Sequence, residues 1–131
     1  MFKRFLEWIG VKEQLHNTEH KPPFFREGEL WWCYVGENVG NEINGKGDKF
    51  TRPIYIFKKY DAYSFLGLPL TTKEKDGTWY SPIKFREKKQ RIVLSQGRVL
   101  DYRRLKEKVG ELSDGERIQV LGMYFSLHKI K

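Results

Sequence analysis

Cysteine is almost absent from this chain: Cys33 is the only one in 131 residues. A single cysteine cannot form an intramolecular disulfide or build a cysteine-based metal site. Because Cys33 lies in the apolar run 30–35, we expect a buried structural thiol. The histidines are also few, and none has an acidic or histidine partner at ligand spacing (His16, His20 and His128). The sequence therefore predicts neither a structural metal nor a cofactor.

Long hydrophobic runs are missing as well. No stretch approaches the roughly 20 apolar residues that a membrane-spanning helix requires. Residues 1–10 have some features of a signal peptide, but Glu7 interrupts the apolar segment and no small-residue cleavage site follows. We therefore expect a cytoplasmic protein with no membrane partner.

Acidic residues are in the minority, with 17 Asp and Glu against 25 Lys and Arg, and the formal net charge is +8. Residues 1–66 hold ten basic and nine acidic residues, whereas residues 67–131 hold 15 and eight, and segment 84–108 is the most basic. Such a field suits a polyanion, nucleic acid first and an acidic protein second. A basic surface without any partner is the alternative interpretation.

The amino-terminal segment, residues 1–25, is predicted to be a helix followed by a linker, and residues 26–131 to form the main domain. Apolar residues at helical spacing place one face of a helix over residues 2–15 (Phe2, Phe5, Leu6 and Ile9). We expect this amphipathic helix to pack on the domain or on a partner subunit. Membrane contact is the weaker alternative.

Short apolar runs predict five strands, at residues 30–35, 54–58, 65–71, 79–85 and 91–95, with basic residues 86–90 as a connection and 96–100 as a possible extension. Asp101 is suited to cap a helix over residues 102–108. Ser113 and Glu116 have the spacing of a capping box, and Ile118, Leu121 and Phe125 would share one face of the helix that follows. Strands followed by helices, without βαβ alternation, predict a mainly β fold with helices, a small barrel under a helical cover.

Residues 36–51 form an unusually long predicted loop with four glycines and three asparagines, and loops of this length are often functional. With the end of the third strand, this loop offers cations, hydroxyls and one acid (Glu42, Lys46, Lys49, Arg52, Thr71, Thr72 and Lys73). Catalytic triads, metal clusters and a Walker loop are absent from that set.

These residue types suit a ribonuclease that needs no metal, in which the ribose 2′-hydroxyl attacks the adjacent phosphate. Arg52 would contact the phosphate and stabilise the charge that develops on it. A threonine hydroxyl could bond the same oxygens, and Glu42 could accept the 2′-hydroxyl proton. Taken alone, this set is weak support, because Arg, Thr and Glu occur on any protein surface.

The order of the motifs is more specific. Five segments in sequence resemble the PemK/MazF family of bacterial toxin endoribonucleases from type II toxin–antitoxin systems: Gly-Glu-Leu-Trp-Trp at 28–32, Val-Gly-Asn-Glu at 39–42, Arg-Pro-Ile-Tyr-Ile at 52–56, Leu-Pro-Leu-Thr-Thr-Lys at 68–73, and Ser-Gln-Gly-Arg-Val-Leu-Asp at 95–101. The similarity extends over roughly residues 26–127.

The resemblance implies an SH3-like barrel of five to six strands with a carboxy-terminal helix, here with an extra amino-terminal helix. It implies a homodimer that cleaves single-stranded RNA, an acidic antitoxin as partner, and DNA binding together with that antitoxin. Arg52 and Thr71 match the family's catalytic residues, with Glu42 on the loop that gates the site. The expected RNA-binding residues are Asn38, Lys46, Lys49, Thr72, Lys73, Gln96 and Arg98.

The sequence departs from the family in its longer, more basic loop, which includes Lys46, Asp48 and Lys49, and in the helix that precedes residue 26. Two alternatives to the ribonuclease stay open. One is a barrel that binds RNA without cleaving it. The other is a toxin that poisons a protein such as DNA gyrase, since related barrels do so.

Overall fold

The computed structural model describes residues 4–18, 21–47 and 49–129, so the predicted positions of Phe2 and Asp48 lie outside the described residues. The described parts contain two α-helices and seven β-strands: α1 (Phe5–Asn17), β1 (Glu29–Tyr34), β2 (Thr51–Lys59), β3 (Ser64–Thr71), β4 (Tyr80–Phe85), β5 (Lys88–Val93), β6 (Arg98–Asp101), β7 (Leu105–Glu111) and α2 (Asp114–His128). The predicted mainly β class with two helices is confirmed.

The strands form one curled antiparallel sheet in the order β4-β5-β3-β2-β1-β7. Strand β3 causes the curl because it changes partner along one edge. Its first half, from Ser64 to Gly67, pairs with β6, and its last two residues, Leu70 and Thr71, pair with β5. The sheet therefore bends round into a half-barrel, and the ends of β2 and β3 meet at its rim.

Both faces of the central strands are buried, which explains their nearly continuous apolar sequences. Ile54 and Ile56 of β2 belong to one hydrophobic cluster, together with the fully buried Phe25 and Cys33. Tyr55 points to the opposite face and belongs to a second cluster under α2. The predicted buried thiol is confirmed, and burial raises the pKa of Cys33 above its ordinary range.

Helix α2 begins with the predicted capping box, in which the Ser113 hydroxyl accepts a hydrogen bond from the Glu116 amide and the Glu116 carboxylate accepts one from the Ser113 amide. The face that packs on the barrel differs from the predicted one. Val120 is fully buried, while the predicted apolar face is largely exposed (Ile118 71%, Leu121 46%, Phe125 67%).

The predicted helix over residues 102–108 is wrong. Only residues 102–104 form a short 3₁₀ turn, which Asp101 caps by accepting from the Arg103 amide, and residues 105–111 continue as β7. Strand β7 pairs with the free edge of β1, as in the pairing of Trp31 with Lys108. Backbone pairing with a neighbouring edge outweighs the weak local preference of this polar segment. Within the described residues the barrel therefore has seven strands rather than the expected five to six.

The connection between β4 and β5 is also shorter than predicted. Residues 88–90 are part of β5, and the turn consists of Arg86 and Glu87 alone, both in the left-handed region with φ of 49° and 62°. Two left-handed residues give the turn that matches the twist of antiparallel strands. The predicted extension at 96–100 is a separate strand, β6, because residues 94–96 form a 3₁₀ turn.

Helix α1 lies against the barrel, and its buried residue is Trp8, which is 5% exposed. The predicted apolar face points elsewhere, with Phe5, Leu6 and Ile9 at 43%, 86% and 54% exposed. Trp8 packs against the Phe50 ring at a centroid distance of 5.7 Å. In the part of the chain that the structure describes, neither helix is long and apolar enough to cross a membrane.

Candidate functional site

The first residues of β2 and the last residues of β3 lie side by side. Ile54 pairs with Pro69, and the same register continues towards Arg52 on one strand and Thr71 on the other. A groove of about 630 Å³ opens over this pair. Both residues are buried in the floor, with Arg52 8% and Thr71 7% exposed. The site is therefore built on two rigid strands and covered by a loop.

Two backbone carbonyls fix the Arg52 guanidinium. Its Nε donates to the Asn44 carbonyl at 2.7 Å, and Nη1 donates to the Leu70 carbonyl at 3.0 Å. No other charged group is a cause of its pKa shift: burial alone lowers the pKa of Arg52 from the ordinary arginine value. The remaining N–H groups of the fork are suited to a phosphate or carboxylate ligand in the groove.

Thr71 ends β3, and the chain then turns outward. The Thr71 hydroxyl accepts a hydrogen bond from the Lys73 amide at 3.2 Å, which leaves its proton available for donation to a ligand. Lys73 also lines the groove and is exposed. A hydroxyl donor and a cation therefore stand beside Arg52 at the same rim.

The site loop, residues 36–50, is held by its own side chains and by the barrel. The side-chain Nδ2 of Asn38 donates to the Val35 and Ile43 carbonyls, at 3.3 and 2.8 Å. The Gln96 side chain accepts from the Ile43 amide at 3.2 Å and donates to the Asn41 carbonyl at 3.1 Å. Asn38 and Gln96 thus hold the loop with their side chains, and the prediction that they bind RNA stays a prediction.

Glu42 sits at the tip of this loop and is exposed. Its carboxylate accepts a hydrogen bond from the Val39 amide at 2.8 Å, which closes a local turn. Glu42 lines the same groove as Arg52 and Thr71. The loop therefore places one acid above the buried cation and the hydroxyl.

The groove unites most, but not all, of the predicted site residues. Arg52, Thr71, Glu42, Lys46, Lys73 and Gln96 line it. Thr72 faces a neighbouring depression of about 490 Å³ that shares Arg52 and Lys46 and has an apolar wall of Trp32, Pro53 and Phe85.

Three predicted RNA-binding residues line neither depression: Asn38, Lys49 and Arg98. Arg98 lies beside Arg104 on another part of the barrel, where it donates to the Val35 carbonyl at 3.5 Å. Burial, followed by the charge of Arg98, lowers the pKa of Arg104 to about 10.

Other groove residues were missed from the sequence, among them Arg4, Glu37, Asn44 and Lys75. Asn44 belongs to the glycine- and asparagine-rich loop, so its position could have been anticipated. Arg4 could not, because its place in the groove depends on how α1 packs against the barrel, for example through Trp8. With Arg4 and Lys75 included, the cations of the groove outnumber its two carboxylates, Glu37 and Glu42.

Within the described residues, no group of three His, Cys, Asp or Glu side chains is placed to hold a metal ion. The chemistry that this groove offers comes from guanidinium and ammonium cations, a threonine hydroxyl and a loop carboxylate. Such a set is suited to bind and polarise an anionic ester.

Comparison with known families gives one match, which covers residues 26–122: the PemK-like, MazF-like toxins of type II toxin–antitoxin systems. No curated protein sequence matches the chain.

Several solved structures share the fold. MazF from Deinococcus radiodurans has a TM-score of 0.66 at 20% identity, over 85% of this chain and 100% of that one. The MazE–MazF complex from the same organism gives 0.61 at 17%, over 86% and 100%. An endoribonuclease in complex with its cognate antitoxin from a mycobacterial species gives 0.60 at 12%, over 80% and 95%.

Proposed function

The chain belongs to the PemK-like, MazF-like toxins of type II toxin–antitoxin systems, and from this premise we propose that it is an endoribonuclease that cleaves single-stranded RNA without a metal ion. The observation that carries the proposal is the buried Arg52 guanidinium, fixed by two carbonyls beside the Thr71 hydroxyl in the floor of a cationic groove. A preorganised cation of this kind stabilises charge that develops in a transition state.

In the proposed reaction the ribose 2′-oxygen attacks the adjacent phosphorus, and the bond from phosphorus to the 5′-oxygen breaks. The upstream fragment ends in a 2′,3′-cyclic phosphate and the downstream fragment in a 5′-hydroxyl. Glu42 takes the proton of the 2′-hydroxyl, and the leaving 5′-oxygen takes a proton from solvent water. Arg52 and Thr71 bond the non-bridging phosphate oxygens as their charge increases.

The exposed lysines of the groove, Lys46 and Lys73, are proposed to contact neighbouring phosphates, and Thr72 to contact RNA in the adjoining depression. Gln96 and Asn38 support the loop rather than reading the RNA directly. Lys49 and Arg98 would act on RNA only through long-range charge, because they lie outside both depressions.

An acidic antitoxin and a homodimer complete the proposal. A mycobacterial endoribonuclease of this fold is in complex with its cognate antitoxin, and a Deinococcus MazF is in complex with MazE. The excess of basic residues here suits an acidic segment that competes with RNA for the groove.

The test is incubation of the purified protein with a long single-stranded RNA in EDTA, with the fragment ends mapped. Arg52→Ala should reduce the rate about 100- to 1,000-fold, the usual effect of losing one transition-state donor. Arg26→Ala is the matched control, because Arg26 is exposed and its guanidinium stacks on Phe24 outside the groove.

Discrete cuts with 5′-hydroxyl ends, made by the parent and the control but not by Arg52→Ala, would support the proposal. Equal cleavage by Arg52→Ala would point to a contaminating nuclease and reject it. Intact RNA from a folded parent protein that still binds RNA would favour a non-catalytic RNA-binding barrel, and absence of RNA binding would favour a toxin with a protein target.

A further inference from the structure

Helix α1 touches the site loop at both of its arms. The outgoing arm begins at Gly36 and Glu37, and the returning arm ends at Gly47 and Phe50. The arms meet at their base, where the amides of Val35 and Gly36 both donate to the Phe50 carbonyl, at 2.9 and 3.1 Å. A helix that contacts both arms at this base therefore fixes the position of the loop.

Arg4, the residue before α1, makes the upper contacts. Its amide donates to the Glu37 carboxylate at 2.6 Å, so a loop carboxylate caps the positive end of the helix. Its guanidinium donates to the Gly47 carbonyl at 3.0 Å and lies 4.5 Å from the centre of the Phe50 ring. One residue thus joins the outgoing arm to the returning arm.

Trp8, one helical turn later, makes the lower contacts. Its ring packs on Phe50 and fills the space beside Gly36, where a Cβ atom would overlap the indole. Gly36 has φ of +92°, a conformation that favours glycine. Trp8 can therefore approach the backbone this closely only because the residue at the base of the loop, Gly36, has no side chain.

The loop in turn fixes Arg52. Asn44 lies between the two arms, and its carbonyl accepts a hydrogen bond from Arg52 Nε at 2.7 Å. The amide of the next residue, Gly45, donates to the Gly36 carbonyl at 2.8 Å. Contacts thus run without a break from Trp8 through Gly36 and Asn44 to the Arg52 guanidinium.

We propose that helix α1 is part of the ribonuclease site, and that Arg4 and Trp8 are positioning residues that hold Arg52 in its reactive orientation through the site loop. This inference rests on the proposed function. Displacement of a reacting group by about 1 Å can cost about 100-fold in rate. We call the contacts of Arg4 and Trp8 with the site loop the brace. Loss of the brace should therefore slow cleavage more than it weakens RNA binding.

The experiment compares Trp8→Ala and Arg4→Ala with the parent on a single-stranded RNA that the parent cuts. The rate at saturating RNA is measured beside the Kd for the same RNA with a 2′-deoxy nucleotide at the cut position. For Trp8→Ala we expect the rate to fall about 10- to 100-fold while Kd changes by less than about threefold. Arg4→Ala should slow cleavage to a similar extent and also raise Kd, because it removes a cation of the groove. Trp8→Phe, which keeps a ring on Phe50, should recover most of the rate.

Lys12→Ala is the matched control, because Lys12 is an exposed cation on the same helix and lies outside the groove. Hydrogen exchange of the Gly36 and Gly45 amides tests the brace without reference to RNA, and it should be faster in Trp8→Ala than in Lys12→Ala.

An unchanged rate at saturating RNA in folded Trp8→Ala would overturn the positioning role, and a raised Kd beside that unchanged rate would make α1 a binding element. A parent protein that leaves RNA intact would overturn the proposed function. In that case faster loop exchange in Trp8→Ala would still support the brace, and unchanged exchange would reject it.

Discussion

Arg52 carries a charge of the kind that usually lies on a protein surface, yet its side chain is largely buried. Removing a guanidinium from water is costly unless its N–H groups are paired, and here two carbonyls satisfy part of the fork. Neither acceptor is a carboxylate, so the positive charge is not neutralised within the site. An anionic ligand would supply that neutralisation, which is why a buried cation of this kind is suited to catalysis rather than to stability alone.

Glu29 is a second buried charge at the residue scale, and it serves stability. It is 4% exposed. Burial by itself would raise its pKa, but hydrogen bonds from Trp31 Nε1, Lys108 and the Arg26 amide together lower the pKa below its usual value. The Lys108 ammonium lies 2.9 Å from the carboxylate.

A depressed pKa means that the folded state favours the ionised Glu29. Its contribution to stability is therefore complete above the pKa of an unfolded glutamate and is lost as the pH falls through the lower folded pKa. Glu29→Gln should lower the free energy of unfolding by about 1–3 kcal/mol near pH 7. Urea unfolding at several pH values would measure this, and the difference should shrink on acidification. A difference that is the same at all pH values would contradict the assignment.

At the scale of the element, the sequence predicted strands well where burial dictated their composition. The runs that became β1, β2 and β3 are apolar because both sides of the sheet are covered. Strand β7 was missed because most of its side chains are exposed, so it has no alternation of apolar and polar residues. These residues form a strand because they pair with β1, and a short segment of sequence does not show such long-range pairing.

The candidate site was predictable to a similar extent. Arg52, Thr71 and Glu42 were identified because family motifs carry them, and the structure brings them to one groove. The roles of Asn38 and Gln96 were not, because hydrogen bonds to loop carbonyls depend on how the loop folds back. The contribution of Arg4 depends on the docking of a whole helix.

The capping box of α2 gives a prediction at this scale. Ser113→Ala removes the hydroxyl that accepts from the Glu116 amide, and it should lower the free energy of unfolding by about 1 kcal/mol. Ser126→Ala is the matched control, because Ser126 is exposed in the same helix and alanine has the higher helix propensity. Urea denaturation would detect the shift, and equal midpoints for the two variants would argue against a stabilising cap.

At the scale of the whole molecule, the net charge of +8 would govern the long-range attraction of the proposed RNA ligand. Contacts with phosphates release counterions, so affinity should fall as salt rises. For about four contacts on a single strand, Kd should increase about 10- to 100-fold between 50 and 200 mM salt.

Two lysine variants distinguish a direct contact with an RNA phosphate from the effect of the overall charge. Lys46→Gln, in the groove, should reduce the slope of log Kd against log salt by about 0.7, the value for one contact on a single strand. Lys12→Gln removes the same charge on α1, outside the groove, and should leave the slope unchanged. Equal slopes for both variants would mean that Lys46 makes no phosphate contact.

The buried Cys33 has a practical consequence for experiments on the loop. Thiol reagents require an accessible thiolate, and this thiol is 0% exposed with a raised pKa. A cysteine introduced at exposed Lys49 would therefore be the single attachment point for a fluorescent dye, in a chain that needs no other substitution. In the chain without the added cysteine, the rate at which a thiol reagent modifies Cys33 would measure how often the barrel opens.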